Sequence, residues 1–374
     1  MADLSARTRR RRRLALGALA GIALGAFALG AALGDGPPPK PSPASTLSVP
    51  HLAGERIVAG FDGTAVPPRL KRAIRAGEVT GVILFADNLP DRAAARRLTA
   101  SLQAIRRPPK LRDPLLIMVD QEGGEVKRLA GAPSASAAQM GARGGAYSRA
   151  QGRRTAANLS AAGFNVDLAP VLDVARPGGV IAATERGFGD TPATVAATAI
   201  PFAEGLEAGG VAATAKHFPG LGAAAENTDF AVQRIGLSKA LLRQVDEAPY
   251  RDFVHAGGAM VMLGTAIYPA FSPRPAACAR PIATGELRDR LGFDGVSITD
   301  ALETVAVRRF GGPPKAALAA ARAGTDLLLF TDPGEARQGW RALVAGLRSG
   351  ALDRQEFEDS AERVLELRDR LGAG

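Results

Sequence analysis

Eight short, mostly apolar runs recur along this chain without the polar–apolar alternation of a half-exposed strand. They are Ile57–Gly60, Gly81–Phe85, Leu115–Val119, Phe164–Leu168, Val211–Ala215, Ala259–Leu263, Gly295–Ile298 and Asp326–Phe330. Unalternating strands are buried on both faces, and such burial is the mark of a parallel sheet covered by helices. Helical stretches lie between them, at 69–76, 91–107, 148–162, 192–208, 238–256 and 283–291, and two more, 335–348 and 354–371, close the chain. Eight strands alternating with helices predict an α/β fold, a closed (β/α)8 TIM barrel. The rival is an open doubly wound sheet, but no Gly-x-Gly-x-x-Gly turn follows the first strand.

A barrel presents its chemistry at the C-terminal tips of its strands. Four tips carry polar groups there: Asp120, the Lys216–His217 pair, Asp300 and Asp332. The fifth run is the most pointed case. It ends abruptly in Lys216 and His217, and Pro219 and Gly220 then stop the strand. An unpartnered lysine at a buried tip is costly, so Lys216 needs a function or a carboxylate partner. Asp300, just past the seventh strand, fits either a carboxylate facing a cleft or a helix N-cap. In Asp120-Gln121-Glu122-Gly123-Gly124-Glu125, the glycines allow close backbone approach to a ligand, and the polar groups suit hydroxyls. Glu122 and Glu125 read equally as a solvated loop. Arg186, in Thr184-Glu-Arg-Gly-Phe-Gly189, offers a guanidinium fork to an oxygen-rich ligand or a surface charge.

The sequence before the barrel has a different character. Arg7 and Arg9–Arg13 precede an uncharged apolar run, Leu14 to Gly34. About 20 apolar residues cross a bilayer, so residues 14–34 predict a transmembrane or signal segment with the arginines left in the cytoplasm. The barrel would then be outside, anchored or, after cleavage, secreted. Residues 35–50, with Pro37–Pro39, Pro41 and Pro43, read as an extended linker, and the barrel is placed at 51–374. The arginine head holds about half of the net charge of +10, and aromatics are 5%. That leaves no base-stacking platform, and nucleic acid is excluded as a partner. One cysteine excludes an internal disulfide. Three scattered histidines, of which His51 and His255 read as structural or exposed, argue against a metal centre. No metal or cofactor is implied.

Four motifs occur in one order: Asp120-Gln-Glu-Gly-Gly124, Arg186-Gly-Phe-Gly189, Lys216-His-Phe-Pro-Gly220 and Ile298-Thr-Asp300. Together they resemble the N-terminal barrel of glycoside hydrolase family 3, most of all its single-barrel bacterial β-N-acetylhexosaminidases. The resemblance implies that Asp300 is the nucleophile of a retaining mechanism. It also implies that Asp120, Arg128, Arg186, Lys216 and His217 hold the sugar. The substrate it points to is an N-acetylglucosaminide of cell-wall origin, such as a peptidoglycan fragment.

A retaining reaction needs a second group to protonate the leaving oxygen. In the hexosaminidase branch that group is a His within an Asp-Ser-His triplet. Here Asn227-Thr228-Asp229 stands in its place, and Gly-His-Gly-Asp becomes Gly220-Leu221-Gly222-Ala223. Three outcomes stay open: Asp229 as the acid/base, another carboxylate such as Glu226, or an impaired barrel that binds or senses wall glycans without turning them over.

Overall fold

The computed structural model describes residues 42–372. Eight strands form one parallel sheet: β1 (Ile57–Ala59), β2 (Gly81–Ile83), β3 (Leu116–Val119), β4 (Val166–Asp167), β5 (Ala212–Phe218), β6 (Met260–Leu263), β7 (Val296–Thr299) and β8 (Leu328–Phe330). They neighbour one another in sequence order, and β8 returns to pair with β1 through Ile57–Leu328, Val58–Leu329 and Ala59–Phe330. Between β7 and β8 the ring is carried by a parallel bridge, Ile298 to Leu327, with Thr299 donating to the Leu327 carbonyl. All eight sequence-predicted strands are present.

The absence of alternation has a simple origin. Val58, Ile83, Leu116, Met118, Met260, Met262, Val296, Ile298 and Leu329 pack together in one buried cluster, and their strand neighbours Ile57, Ile117, Val261, Leu263, Leu328 and Phe330 pack in the other. Successive side chains point to opposite faces, so one set fills the barrel and the other meets the helices. Val364 and Leu367 of the last helix, Arg354–Gly372, join the inner cluster. The same helix buries Arg368, whose guanidinium bonds Glu55 and the carbonyls of Leu111, Asp113 and Pro114. An arginine can be buried only when its donors are met.

Several helices differ from their predicted outlines. The segment 238–256 is interrupted by a wide turn, Leu242–Asp246, before Ala248–His255, where Pro249 occupies the first turn. Pro281–Arg290 is wound in the same wide fashion. Helices that were not anticipated include Ala137–Arg143, Val180–Ala183, Val305–Phe310 and Gly312–Ala323. Residues 44–50, within the stretch read as linker, are folded: Ala44 and Leu47 are buried and a helix runs from Val49 to Gly54 through His51. The arginine head and the 14–34 segment lie outside the described residues. Among the described residues no helix is long and apolar enough to cross a membrane.

Candidate active site

At the strand C-termini lies a cavity of about 350 Å³. Its floor is the top of the inner cluster, with Ile83, Leu168, Met262 and Leu329. All seven sequence-predicted site residues line it: Asp120, Arg128, Arg186, Lys216, His217, Asp229 and Asp300. Glu226 is exposed and is not among the lining residues. Asp332 is not there either. It caps the helix Pro333–Arg348, accepting the N–H groups of Gly334 at 2.7 Å and Glu335 at 2.9 Å, so its place at a strand tip serves the helix.

One wall is an ion cluster. Lys216 Nζ donates to Asp120 Oδ1 at 2.6 Å and stands 2.7 Å from Glu122 Oε1. Arg186 grips Glu122 with both arms, Nε to Oε2 at 2.8 Å and Nη2 to Oε1 at 2.7 Å. Arg128 Nη2 lies 4.0 Å from Asp120 Oδ2. Burial disfavours the charges of Glu122, Lys216 and Arg186, yet the neighbours outweigh it. Arg186 and Lys216 hold the Glu122 carboxyl well below the usual range, and Asp120 and Glu122 hold the Lys216 ammonium above its own. Glu122 and Lys216 therefore each favour the charged form of the other.

Glu122 is not a solvated loop residue. Asp120 and Glu122 are two apart on extended backbone, so both side chains leave on one side. That period was the available signal, but the partners come from 64 residues downstream for Arg186 and beyond. The glycines after them do not approach the cavity. Gly123 and Gly124 turn a small hairpin at φ +99° and +58°, and a Cβ on Gly123 would stand 2.2 Å from the Ala135 carbonyl oxygen. Arg186 is aimed by a strained turn. Glu185, at φ +53°, is held by the Ser136 hydroxyl on its carboxylate and the Ala138 N–H on its carbonyl.

His217 is oriented from behind by Asp173, which the sequence showed only as a residue past the fourth strand. Its ring Nδ1 lies 2.8 Å from Asp173 Oδ2. The other oxygen accepts the His217 N–H at 3.1 Å and the Leu221 N–H at 2.6 Å. A carboxylate accepts, so Nδ1 carries the proton and Nε2 is the atom left for a ligand. The Lys216–His217 and Phe218–Pro219 peptides are cis. Gly222 is required close by: a Cβ there would fall 1.9 Å from the Val174 carbonyl oxygen.

Asp300 does not cap a helix. The next helix begins at Val305, and Asp300 Oδ1 instead accepts the Ala301 N–H at 2.7 Å. Burial pushes its carboxyl pKa up, His217 draws it down, and Asp229 adds to the rise. Asp229 is exposed, in a turn where its N–H donates to Asn227 Oδ1 at 2.9 Å. Asp300 and Asp229 thus open on one cavity, the first half-buried and the second exposed.

Residues 59–367 match the glycosyl hydrolase family 3 N terminal domain. A protein of Arthroderma benhamiae, described as an uncharacterized secreted glycosyl hydrolase, is 37% identical over 343 residues, covering 89% of this chain and 96% of its own length. A β-hexosaminidase of Thioalkalivibrio sulfidiphilus is 33% identical over 326 residues, covering 84% and 89%. A solved family 3 β-N-acetylglucosaminidase from Paenibacillus sp. superposes with a TM-score of 0.83 at 33% identity, over 87% of this chain and 63% of that one. The chain belongs to glycoside hydrolase family 3 and is a glycosidase.

Proposed function

We propose that the protein is a retaining β-N-acetylhexosaminidase that removes N-acetylglucosamine from cell-wall-derived glycans outside the cytoplasm. The observation that carries this reading is the meeting of Asp300 and Asp229 with the Lys216–Asp120–Glu122–Arg186 cluster around one sugar-sized cavity. Two carboxyl groups beside a fixed set of hydroxyl partners are what glycoside cleavage needs.

In the first step Asp300 attacks the anomeric carbon and the glycosidic C–O bond breaks. Asp229 gives its proton to the leaving oxygen. In the second step water attacks the same carbon, Asp229 takes the water's proton, and the Asp300 ester bond breaks. Asp120, Arg128, Arg186, Lys216 and His217 hold the sugar through both steps. The names of the hexosaminidase relatives support the N-acetylated substrate, and the secreted description of the Arthroderma protein supports the external location.

An activated aryl N-acetylglucosaminide tests the proposal. Turnover that disappears in Asp300→Ala supports it. Absence of turnover in the unaltered protein, with N-acetylglucosamine still bound, would replace it with a glycan-binding barrel.

A further inference from the structure

Opposite the ion cluster, the cavity wall contains a carboxyl group with no part in the chemistry above. Glu303 lines the cavity beside Thr331, from the end of β8. Glu303 Oε1 accepts the Thr331 N–H at 2.8 Å. Its Oε2 is buried without a hydrogen-bond donor, and so is Oε2 of Glu335, in the first turn of the helix Pro333–Arg348. The two carboxyl groups are within hydrogen-bonding reach of each other. Two carboxylate oxygens cannot bond without a proton between them, and two buried like charges side by side are unfavourable.

One proton resolves both vacant oxygens, and the surroundings say where it sits. Arg308 Nη2 lies 3.2 Å from Glu335 Oε1, so a cation pairs with that carboxylate. Among the described residues no cation pairs with the Glu303 carboxyl. The same arginine donates from Nε to the Glu303 carbonyl at 2.9 Å, tying the two residues together. Asp332 turns its own carboxylate to the helix start. Asp300 stands three residues back on the same loop.

We propose that Glu303 is a positioning residue that holds a proton and donates it to the Glu335 carboxylate, and that this bonded pair fixes the Glu303–Thr331 wall of the cavity against the sugar. Burial, with the Glu335 charge adding to it, pushes the Glu303 pKa up to about 7. Loss of the proton sets two carboxylates against each other behind the wall, and the wall loosens. The glycosidase assay relies on the function proposed above, but the melting readout does not.

The test is a pH profile of kcat/KM on an aryl N-acetylglucosaminide, with melting temperatures over the same range, for the unaltered protein, Glu303→Gln and Glu335→Gln. In either variant an amide N–H replaces the shared proton. The unaltered protein is expected to lose activity above pH about 7, approaching tenfold per pH unit for a one-proton limb, and both variants to lose that limb. A raised pKa stabilises the fold fully below the ordinary value of 4.5, and the benefit disappears as pH rises through about 7. The melting temperature of Glu303→Gln relative to the unaltered protein should therefore climb across that interval. An unchanged alkaline limb in both variants, or parallel melting curves, overturns the proposal. Turnover lost in Glu303→Gln and restored by azide also overturns it, since Glu303 would then be the acid/base itself. No turnover in any form, with the melting difference present, removes the assigned reaction and leaves the proton-sharing pair standing.

Discussion

Lys216 and Asp120 are 96 residues apart in the chain and joined by a hydrogen bond of 2.6 Å at the mouth of the barrel. Lys216 also meets Glu122, so one buried ammonium neutralises parts of two carboxylates. Replacing it with Met leaves Asp120 with only the more distant Arg128, while Glu122 keeps Arg186. Breaking a buried pair by removing one partner costs about 3–5 kcal/mol. Lys216→Met should fall near the lower end of that range in urea unfolding at pH 7. A loss under about 1 kcal/mol, the scale of a surface pair, would mean that the cluster is solvated.

The leaving group decides whether Asp229 is the acid/base. Asp229→Asn should reduce kcat/KM by about 10²–10⁴-fold on glycosides with poor leaving groups. The loss should shrink with a nitrophenyl leaving group, which needs no proton, and azide should restore part of the rate. Equal loss on both substrates would assign Asp229 to binding.

In the proposed reaction Asp300 must be ionised to attack, and burial raises its pKa above the ordinary 3.8, with Asp229 contributing. Activity should rise with pH on the acid side as Asp300 ionises. Asp229→Asn removes one cause of the rise, so the acid limb measured with an activated substrate should move to lower pH. The stability contribution has the opposite sense. It is present below the ordinary pKa and disappears as pH rises through the elevated one. An acid limb unmoved in Asp229→Asn would show that the two carboxyls do not sense each other.

Asp173 holds His217 by its ring and its backbone. Asp173→Asn keeps the shape but can present an amide N–H to Nδ1 and favour the wrong tautomer. A misplaced positioning group can cost about 10²-fold. That loss in kcat/KM, checked by steady-state kinetics with N-acetylglucosamine binding in parallel, is the expected result. Unchanged kinetics would make His217 a packing residue.

Most strands were legible because both faces of each are buried, which leaves a short, mostly apolar run; Phe164–Leu168 breaks the pattern with Asn165 and with Asp167, which is buried and accepts the Gln121 N–H. Lys216 and His217 stood out because a charged pair at a buried tip has few structural excuses, whereas Asp300 by itself read equally as a helix cap and was singled out by the motif it sits in. Asp332 has the same appearance, but its carboxylate serves the helix that follows. Glu122 was ambiguous for the opposite reason: its charge is compatible with solvent, and the residues that bury it come from later strands and loops. The helix Gly312–Ala323 was hidden by Gly311-Gly312-Pro313-Pro314, which reads as a breaker. Prolines in a first helical turn lack only N–H groups that would have no partner there. Glu303 gave no sequence signal, since Glu335 reaches it only when β7 and β8 lie side by side.

The central claim is that Asp300 forms a covalent bond to the sugar. Incubation with an activated 2-fluoro or 5-fluoro glycosyl donor, followed by mass spectrometry of the intact protein and its peptides, tests it directly. One sugar per chain, on the peptide containing Asp300 and absent from Asp300→Ala, is the predicted result. An adduct on another residue, or steady turnover of the ordinary aryl glycoside with no adduct at any time, would contradict it.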